Sequence, residues 1–239
     1  MNATLSPLPL FPDKAVTLPP RYFGSVGYFA LLAAYGTAVI QDDALYDKRQ
    51  KEVHRCTVAD THGPVTLTVP VSKPHGIPRA TWREVGISDH GAWWHVHRVT
   101  LESAYGRTPF FEFYIDSLLP YLSASTPAAF PSIASLDLSL TARVASLLQL
   151  PTRILTASEV PQTPQTTRPT DGPEYPLAQS APPCADPSLV SRLADLASWP
   201  SYYQVRQDTQ GFQPGLSILD LLFNLGPEAP LYLLRLLRP

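Results

Sequence analysis

The stretch AVTLPPRYFGSVGYFALLAAYGTAVI, residues 15–40, carries the clearest signals of the fold class. Its apolar start, Ala15–Leu18, predicts a strand that ends at two prolines, which lack the N–H that a strand ladder needs. The small, aromatic and aliphatic residues Gly27–Tyr35 predict a helix, which Gly36 can cap. Thr37–Ile40 predicts a second strand. Strand, helix and strand in this order indicate a βαβ unit and a mainly parallel sheet.

Outward from this unit, the sequence predicts an added β-hairpin and several helices. One hairpin strand ends near Val58, His62-Gly63-Pro64 is the turn, and Val65–Val71 alternates apolar and polar residues as a half-buried strand does. We therefore expect an α/β fold with a mainly parallel central sheet, flanking helices and this hairpin. Further short strands are predicted at Trp82–Ile87, Arg153–Thr156 and Tyr202–Arg206, and helices at Ala92–Tyr105, Pro109–Leu122, Ser132–Leu148, Pro187–Ala197, Ser217–Leu225 and Leu231–Leu237.

Prolines mark the expected domain boundaries. The chain has 27 prolines among 239 residues, more than twice the usual share of about 5%. Residues 1–14 predict an irregular N-terminal tail. Residues 15–239 then form a single α/β domain, since one domain takes about 100–200 residues. The segment at about 157–187 is rich in Pro, Thr, Ser and Gln and predicts an insertion in this domain.

Composition excludes several classes of protein. The formal net charge of −2 offers no basic excess for nucleic-acid binding. No apolar run reaches 18 residues, so no membrane span is predicted. The N-terminus lacks the pattern of a secretory signal, and two cysteines, Cys56 and Cys184, are too few for a disulfide scaffold. We expect a cytoplasmic protein, and the sequence predicts no oligomeric state.

No sequence motif indicates a bound cofactor or metal ion. The six histidines have no zinc-helix spacing, and there is no CxxC pair. The phosphate-binding loops GxxxxGK[ST] and GxGxxG and the nucleophile elbow GxSxG are also absent from the sequence. His97 lies in a Trp-rich helix start, where we expect a buried, hydrogen-bonded residue rather than a metal ligand.

Acidic and basic residues concentrate just after the second predicted strand. Asp42-Asp43 follows Ile40, where α/β sheets place binding residues, and acids there can hold Mg²⁺ or act as a base. A basic cluster follows, and such a cluster can bind phosphate or carboxylate. His54 adds a group that titrates near neutral pH. A solvated loop and an ordinary lysine-decorated edge strand remain the alternatives. The cluster consists of Lys48, Arg49, Lys51 and Arg55.

A polar stripe crosses an otherwise apolar C-terminal helix. Ser217 can cap this helix, and Asn224 lies one turn beyond Asp220 on the same face. A buried carboxylate needs partners. The stripe predicts either a structural network or the wall of a site, and the spacing favours neither.

Several motifs together resemble the WbqC-like family over about Val16–Leu233. The motif at Leu216–Asn224 is specific in combination with the block formed by His54-Arg55 and Val69-Pro-Val71. The motifs are Tyr22-Phe23-Gly24, Tyr28-Phe29, Tyr46-x-Lys48-Arg49, His54-Arg55, Leu67-Thr-Val-Pro-Val71, Ser103-Ala-Tyr-Gly-Arg-Thr-Pro-Phe-Phe111 and Leu216-Ser-Ile-Leu-Asp-Leu-Leu-Phe-Asn224.

The resemblance implies a role in bacterial O-antigen or surface-polysaccharide biosynthesis, with glycine or another aminoacyl group transferred to a sugar. We therefore predict a transferase for an anionic small molecule or an activated sugar. Asp43, as base or magnesium ligand, Lys48 and Asp220 are its predicted catalytic residues. The predicted substrate-binding residues are Tyr22, Arg49, His54, Arg55, Tyr105, Ser217 and Asn224.

Two alternatives to the transferase remain open. The first is a non-catalytic binding module in polysaccharide assembly that uses the same pocket. The second is a nucleotide-binding protein of the nucleotidyltransferase type, suggested by the order of strand, aromatic-glycine turn, helix, strand and acid. The turn between Tyr22 and Tyr28 lacks the histidines expected of that type.

Overall fold

The structure, a computed structural model, describes residues 9–160 and 185–238. Most of the tail expected at 1–14 and of the insertion expected at 157–187, including Cys184, therefore lies outside the described residues. In chain order, the strands are β1 (Phe11–Leu18), β2 (Tyr35–Ile40), β3 (Arg55–Asp60), β4 (Gly63–Thr68), β5 (Val71–Ser72), β6 (Gly86–Ile87) and β7 (Arg153–Thr156). The helices are α1 (Val26–Ala34), α2 (Trp93–Tyr105), α3 (Phe111–Tyr114), α4 (Thr126–Ala129), α5 (Ile133–Leu147), α6 (Pro187–Ala194), α7 (Gln207–Gln210), α8 (Ile218–Leu225) and α9 (Ala229–Leu237).

The predicted βαβ unit is confirmed. Strand β1, helix α1 and strand β2 follow one another, and β1 and β2 pair in parallel with Leu18 opposite Ile40. Strand β7 joins the other side of β2, also in parallel, with Thr156 opposite Ile40. All three strands therefore end at the same edge of the sheet, where α/β proteins place their ligand sites.

The expectation of a mainly parallel central sheet holds only in part. In the part of the chain that the structure describes, the parallel sheet has three strands, in the order β1-β2-β7. The predicted hairpin is present as β3–β4, but it forms its own two-stranded antiparallel sheet, and β5–β6 forms another. The molecule is thus an α/β structure with a small parallel sheet and flanking helices.

Gly36 has a different role from the helix cap predicted for it. Helix α1 passes directly into β2 through Tyr35, whose backbone is extended. A Cβ atom at Gly36 would lie 1.8 Å from the carbonyl oxygen of Pro12 on β1. Glycine is therefore required because β1 and β2 approach closely here, next to the register shift between Phe11 and Ala15.

Three predicted elements are wrong or only partly formed. The helix expected at Pro109–Leu122 is interrupted after α3 and continues as 3₁₀ turns, where Pro120 supplies no N–H. Trp82–Glu84 is a 3₁₀ turn, and only Gly86–Ile87 of that segment is a strand. Tyr202–Arg206 is not a strand, because the N–H of Val205 donates to a side chain of α8 instead of a neighbouring strand.

The core explains why α1 shows almost no amphipathic pattern. Seven of its nine residues are buried, because the helix packs against the sheet on one side and against α6, α8 and α9 on others. A continuous cluster of buried hydrophobic residues draws members from Val16 to Leu237. This packing holds the N-terminal end of α1 in one place, beside the end of β1.

Candidate functional site

A cleft of about 570 Å³ opens at the carboxyl end of β1. The turn between β1 and α1 forms one wall, and the 3₁₀ turn Lys51–Val53 with the start of β3 forms another. The residues just before α8 close a third side. The charged lining residues are Arg21, Lys51, Glu52 and Arg55, and the hydroxyl-bearing ones are Tyr22, Ser25, Tyr28, Thr57, Thr66 and Ser217.

The N-terminal ends of two helices meet at this cleft. Ser25 caps α1 and Ser217 caps α8, and the two residues form an isolated antiparallel bridge. The bridge is made by the N–H of Val26 to the carbonyl of Leu216, 2.9 Å, and the N–H of Ile218 to the carbonyl of Gly24, also 2.9 Å. Helix N-terminal ends carry partial positive charge, which adds to the potential of this wall, although the N–H groups of Val26 and Ile218 themselves donate within the bridge.

Cationic side chains add to this positive potential. Among the described residues, the lining holds three cations, Arg21, Lys51 and Arg55, and one carboxylate, Glu52. Arg21 pairs with Glu52 at 2.8 Å. Arg55 is half-buried, and within residues 9–160 and 185–238 its buried Nε has no hydrogen-bond partner. A buried donor without a partner is costly, which makes Arg55 a ready contact for an oxyanion.

Tyr22 joins the cleft to a buried histidine. Its hydroxyl lies 2.9 Å from Nδ1 of His97, and Nε2 of His97 lies 3.2 Å from the carbonyl oxygen of Thr68. A carbonyl only accepts, so Nε2 carries the proton and Nδ1 accepts from Tyr22. Burial lowers the pKa of His97 to about 4. The expectation of a buried, hydrogen-bonded His97 is confirmed.

The buried nucleophiles beside the cleft are protonated. Burial raises the pKa of the Tyr22 hydroxyl and of the Cys56 thiol well above their usual values. Burial likewise raises the pKa of Tyr28, whose hydroxyl donates to the carbonyl of Pro19. Cys56 is itself buried. At neutral pH these groups therefore donate or accept hydrogen bonds but do not act as anionic nucleophiles.

The polar stripe of α8 forms a network behind the cleft rather than part of its lining. The Asp220 carboxylate accepts hydrogen bonds from the Tyr202 hydroxyl and from Nε2 of Gln204, the latter at 2.8 Å. Asn224 donates to the carbonyl oxygen of Asp220 at 2.8 Å and accepts from the N–H of Val205 at 3.0 Å. The network fastens the segment 202–205 to α8, which matches the structural alternative.

Burial and hydrogen bonding act on the Asp220 carboxyl in opposite directions. Burial raises its pKa, and hydrogen bonds from Tyr202, Gln204 and Tyr105 oppose the rise. The Tyr105 hydroxyl also accepts from the N–H of Ala59 at 3.1 Å. Tyr105 thus links α2, α8 and β3 inside the protein.

The acidic and basic residues after β2 mostly lie on the surface. Asp43 and Lys48 are exposed and lie outside the cleft lining. Arg49 is also exposed and pairs with Asp47 at 3.0 Å. The neighbour of Asp43, Asp42, pairs instead with Arg83 at 3.0 Å.

His54 is half-buried at the end of the 3₁₀ turn that precedes β3. Its Nδ1 lies 3.2 Å from the carbonyl oxygen of Val69, and burial lowers its pKa. Arg55, the next residue, lines the cleft.

The predicted site residues thus fall into three groups. Tyr22, Arg55 and Ser217 meet at the cleft, whereas the other predicted residues form the buried network or lie apart from it. Sequence reasoning missed Arg21, Glu52 and Tyr28 as lining residues. Arg21 could have been predicted, because it lies in the turn after the first strand of a βαβ unit, where α/β proteins place ligand-binding residues. The network residues are Tyr105, Asp220 and Asn224, and those lying apart are Asp43, Lys48, Arg49 and His54.

Within 9–160 and 185–238, no three His, Cys, Asp or Glu residues are grouped so that they could hold a metal ion. Over the same ranges, no helix has the length and apolar character needed to cross a membrane.

Comparison with known proteins identifies the family. The model of the WbqC-like protein family matches residues 19–232. The chain is 30% identical over 231 residues to the uncharacterized protein Rv1507c of Mycobacterium tuberculosis, an alignment that covers 92% of this chain and 97% of that protein. No solved structure matches. The resemblance expected from the motifs is confirmed, and the chain belongs to the WbqC-like protein family.

Proposed function

We propose that the cleft at the end of β1 binds an anionic small molecule, a phosphate- or carboxylate-bearing compound such as an activated sugar. We further propose that the protein is a transferase in bacterial surface-polysaccharide biosynthesis, with glycine or another aminoacyl group as the group transferred. The observation that carries the binding proposal is the buried Nε of Arg55, which lines the cleft and has no hydrogen-bond partner among the described residues. The transferase role rests on membership of the family.

Three features of the cleft support an anionic ligand. The guanidinium of Arg55 offers paired donors that suit a phosphate or carboxylate. Lys51 adds a cation on the same side, and the capped ends of α1 and α8 add partial positive charge. The single carboxylate of the described lining, Glu52, is already neutralised by Arg21. The balance of charge therefore favours an anion over a cation.

Catalytic roles follow from the same placement. Transfer to a hydroxyl or amine needs a group that accepts a proton, and Glu52 is the carboxylate in the described lining. Asp43, Lys48 and Arg49 belong to the loop that leads into the turn Lys51–Val53. We propose these three as contacts for the part of a substrate that extends beyond the cleft.

A non-catalytic binding module is the second candidate, and one observation favours it. Tyr22, Tyr28 and Cys56 are buried in the lining, and burial raises the pKa of each of them. A site that only recognises an anion needs no ionised nucleophile. This candidate uses the same cleft and the same cations.

The test is isothermal titration calorimetry with sulfate, pyrophosphate and nucleotide sugars. We expect binding by the wild type and a loss of about tenfold to a hundredfold in Arg55→Gln, because hydrogen bonds to charged groups contribute about 1.5–3 kcal/mol. Arg98→Gln is the matched control, since Arg98 is exposed and lies outside the cleft. It should bind within twofold of wild type. A folded Arg55→Gln protein with unchanged affinity contradicts the proposal.

Turnover separates the two candidates. The wild type is incubated with a nucleotide sugar that binds and with glycine or another amino acid, and the mixture is analysed by mass spectrometry. A product that Arg55→Gln fails to form supports the transferase. Tight binding without any new product supports the binding module.

A further inference from the structure

Three exposed apolar side chains lie around the junction of α8 and α9. Tyr203 is 58% exposed and Leu231 is 54% exposed, and both line a groove of about 310 Å³. Phe113, which is 77% exposed, lies next to Phe110, with the two ring centroids 6.3 Å apart. A Cβ atom at Gly226 would lie 2.5 Å from the Phe110 ring, so this ring packs on the residue that follows α8. Single exposed apolar residues are common on protein surfaces, but a contiguous group marks an interaction site.

Helix α9 presents only a narrow face to solvent. Seven of its nine residues are buried, and the two exposed ones, Leu231 and Arg235, lie one turn apart on the same face. Glu228, which precedes the helix, is also exposed and lines the same groove. Neither Glu228 nor Arg235 belongs to an ion pair of the described residues, and about 10 Å along a helix separates them from each other. We call this surface, formed by Phe113, Tyr203, Glu228, Leu231 and Arg235, the α9 patch.

The segment that carries Tyr203 is held in place against α8 and α9. The Tyr202 hydroxyl donates to the Asp220 carboxylate, and the Tyr232 hydroxyl donates to the carbonyl oxygen of Pro200 at 2.7 Å. The rings of Tyr202 and Tyr232 pack edge to face, with centroids 4.7 Å apart. A surface that is already ordered loses little conformational freedom on association. The polar stripe of α8 therefore supports the α9 patch.

The charges around Leu231 are arranged so that the α9 patch is complementary to itself. If two copies of α9 pack antiparallel across a two-fold axis near Leu231, Glu228 of each copy lies beside Arg235 of the other. The same axis brings the two exposed Leu231 side chains into contact. The formal net charge of −2 gives two copies little mutual repulsion. The partner that fits this surface is therefore a second copy of the chain.

We propose that the α9 patch is the interface of a two-fold homodimer, in which Glu228 pairs with Arg235 of the second copy. Leu231 lies at the centre of this interface. The patch shares no residue with the lining of the cleft at the end of β1, so this inference is independent of the proposed anion binding.

Sedimentation velocity of the full chain across micromolar concentrations tests the interface. The wild type should approach twice the chain mass of 26.3 kDa as the concentration rises. Leu231→Asp should weaken the dimer by about a hundredfold or more, because each dimer buries this side chain twice. Leu45→Asp is the matched control, since Leu45 is 48% exposed but lies in the loop after β2, outside the patch. It should dimerise like the wild type.

Charge variants test whether the partner is a second copy in this orientation. Glu228→Arg and Arg235→Glu should each weaken the dimer by about tenfold, because like charges then meet at two places. An equimolar mixture of the two single variants should form a heterodimer, since both contacts then join an acid to a base again. The double variant should regain the homodimer for the same reason.

Each outcome decides for or against the dimer. Circular dichroism checks that the variants are folded, which we expect because every substituted side chain is exposed. A wild type that stays monomeric at the highest concentration overturns the proposal and assigns the patch to a different protein. A dimer that persists in Leu231→Asp, or a mixture of the charge variants that stays monomeric, overturns the proposed interface. None of these outcomes changes the result expected for sulfate binding.

Discussion

The Tyr22 hydroxyl donates a hydrogen bond to Nδ1 of His97 across 2.9 Å, and this bond ties the turn after β1 to helix α2. The other ring nitrogen donates to the carbonyl of Thr68 at the end of β4. Because one nitrogen must accept and the other must donate, only the neutral imidazole satisfies both partners. The wall of the cleft therefore depends on a neutral His97.

This dependence predicts a loss of stability in acid. The pKa of His97 is about 4 in the folded protein, against about 6.5 in an unfolded chain. The unfolded state therefore binds the extra proton first, and the contribution of His97, up to about 3 kcal/mol, is lost as the pH falls from about 6.5 towards 4.

Urea unfolding at neutral and acidic pH measures the effect. Wild type should lose more stability between the two pH values than His97→Gln does, because glutamine does not titrate. Equal losses in the two proteins would show that His97 already carries a proton in the folded state.

Removing one hydroxyl from the Asp220 network should cost stability without weakening anion binding. Tyr202→Phe deletes a donor to the buried Asp220 carboxylate, which predicts a destabilisation of about 1–3 kcal/mol. Tyr203→Phe is the matched control, since Tyr203 is 58% exposed, and its unfolding free energy should stay near that of wild type. Denaturant unfolding and sulfate titration check both variants. Weakened sulfate binding by Tyr202→Phe would place the network within the binding site.

Gly36→Ala should be strongly destabilising. The new methyl group would lie 1.8 Å from the Pro12 carbonyl oxygen, so β1 would have to move away from β2. We expect a loss of about 3 kcal/mol or more in denaturant unfolding. In Gly76→Ala, the new methyl group would have no atom within 4 Å. Only the positive φ is then unfavourable, which should lower the free energy of unfolding by about 1–2 kcal/mol. Similar losses of unfolding free energy in both variants would mean that β1 moves away from β2 at little cost.

Asp137 should affect stability in the direction opposite to His97. Its folded pKa is raised by burial, so the unfolded state gives up its proton first as the pH rises. Wild-type stability should therefore decline with rising pH between the unfolded pKa, about 3.9, and the raised folded value. Asp137→Asn should lack this decline in urea unfolding measured at several pH values. A parallel decline in the variant would assign it to another group.

Local elements were predictable from the sequence where their signals lie within a few neighbouring residues. Residues 15–40 predicted β1, α1 and β2 because apolar runs, prolines and small residues act on their own backbone. The alternation in 65–71 predicted β4 in the same way, and α5 lies within the helix predicted at Ser132–Leu148. The prediction failed at Pro109–Leu122, where Pro120 interrupts the helical hydrogen bonds. It failed again at Tyr202–Arg206, where the backbone N–H of Val205 donates to a side chain on α8.

Which residues share the site depends on tertiary packing. Arg21, Arg55 and Ser217 are far apart in the chain, and they meet because the parallel sheet and α8 place their segments around one cleft. The general rule for parallel sheets pointed to the end of β2 and to Asp43, whereas the cleft opens at the end of β1. The burial of Asp137 without a hydrogen-bond partner depends equally on tertiary packing. The sequence shows an acid in an apolar helix, but burial and missing partners are properties of distant segments packed together.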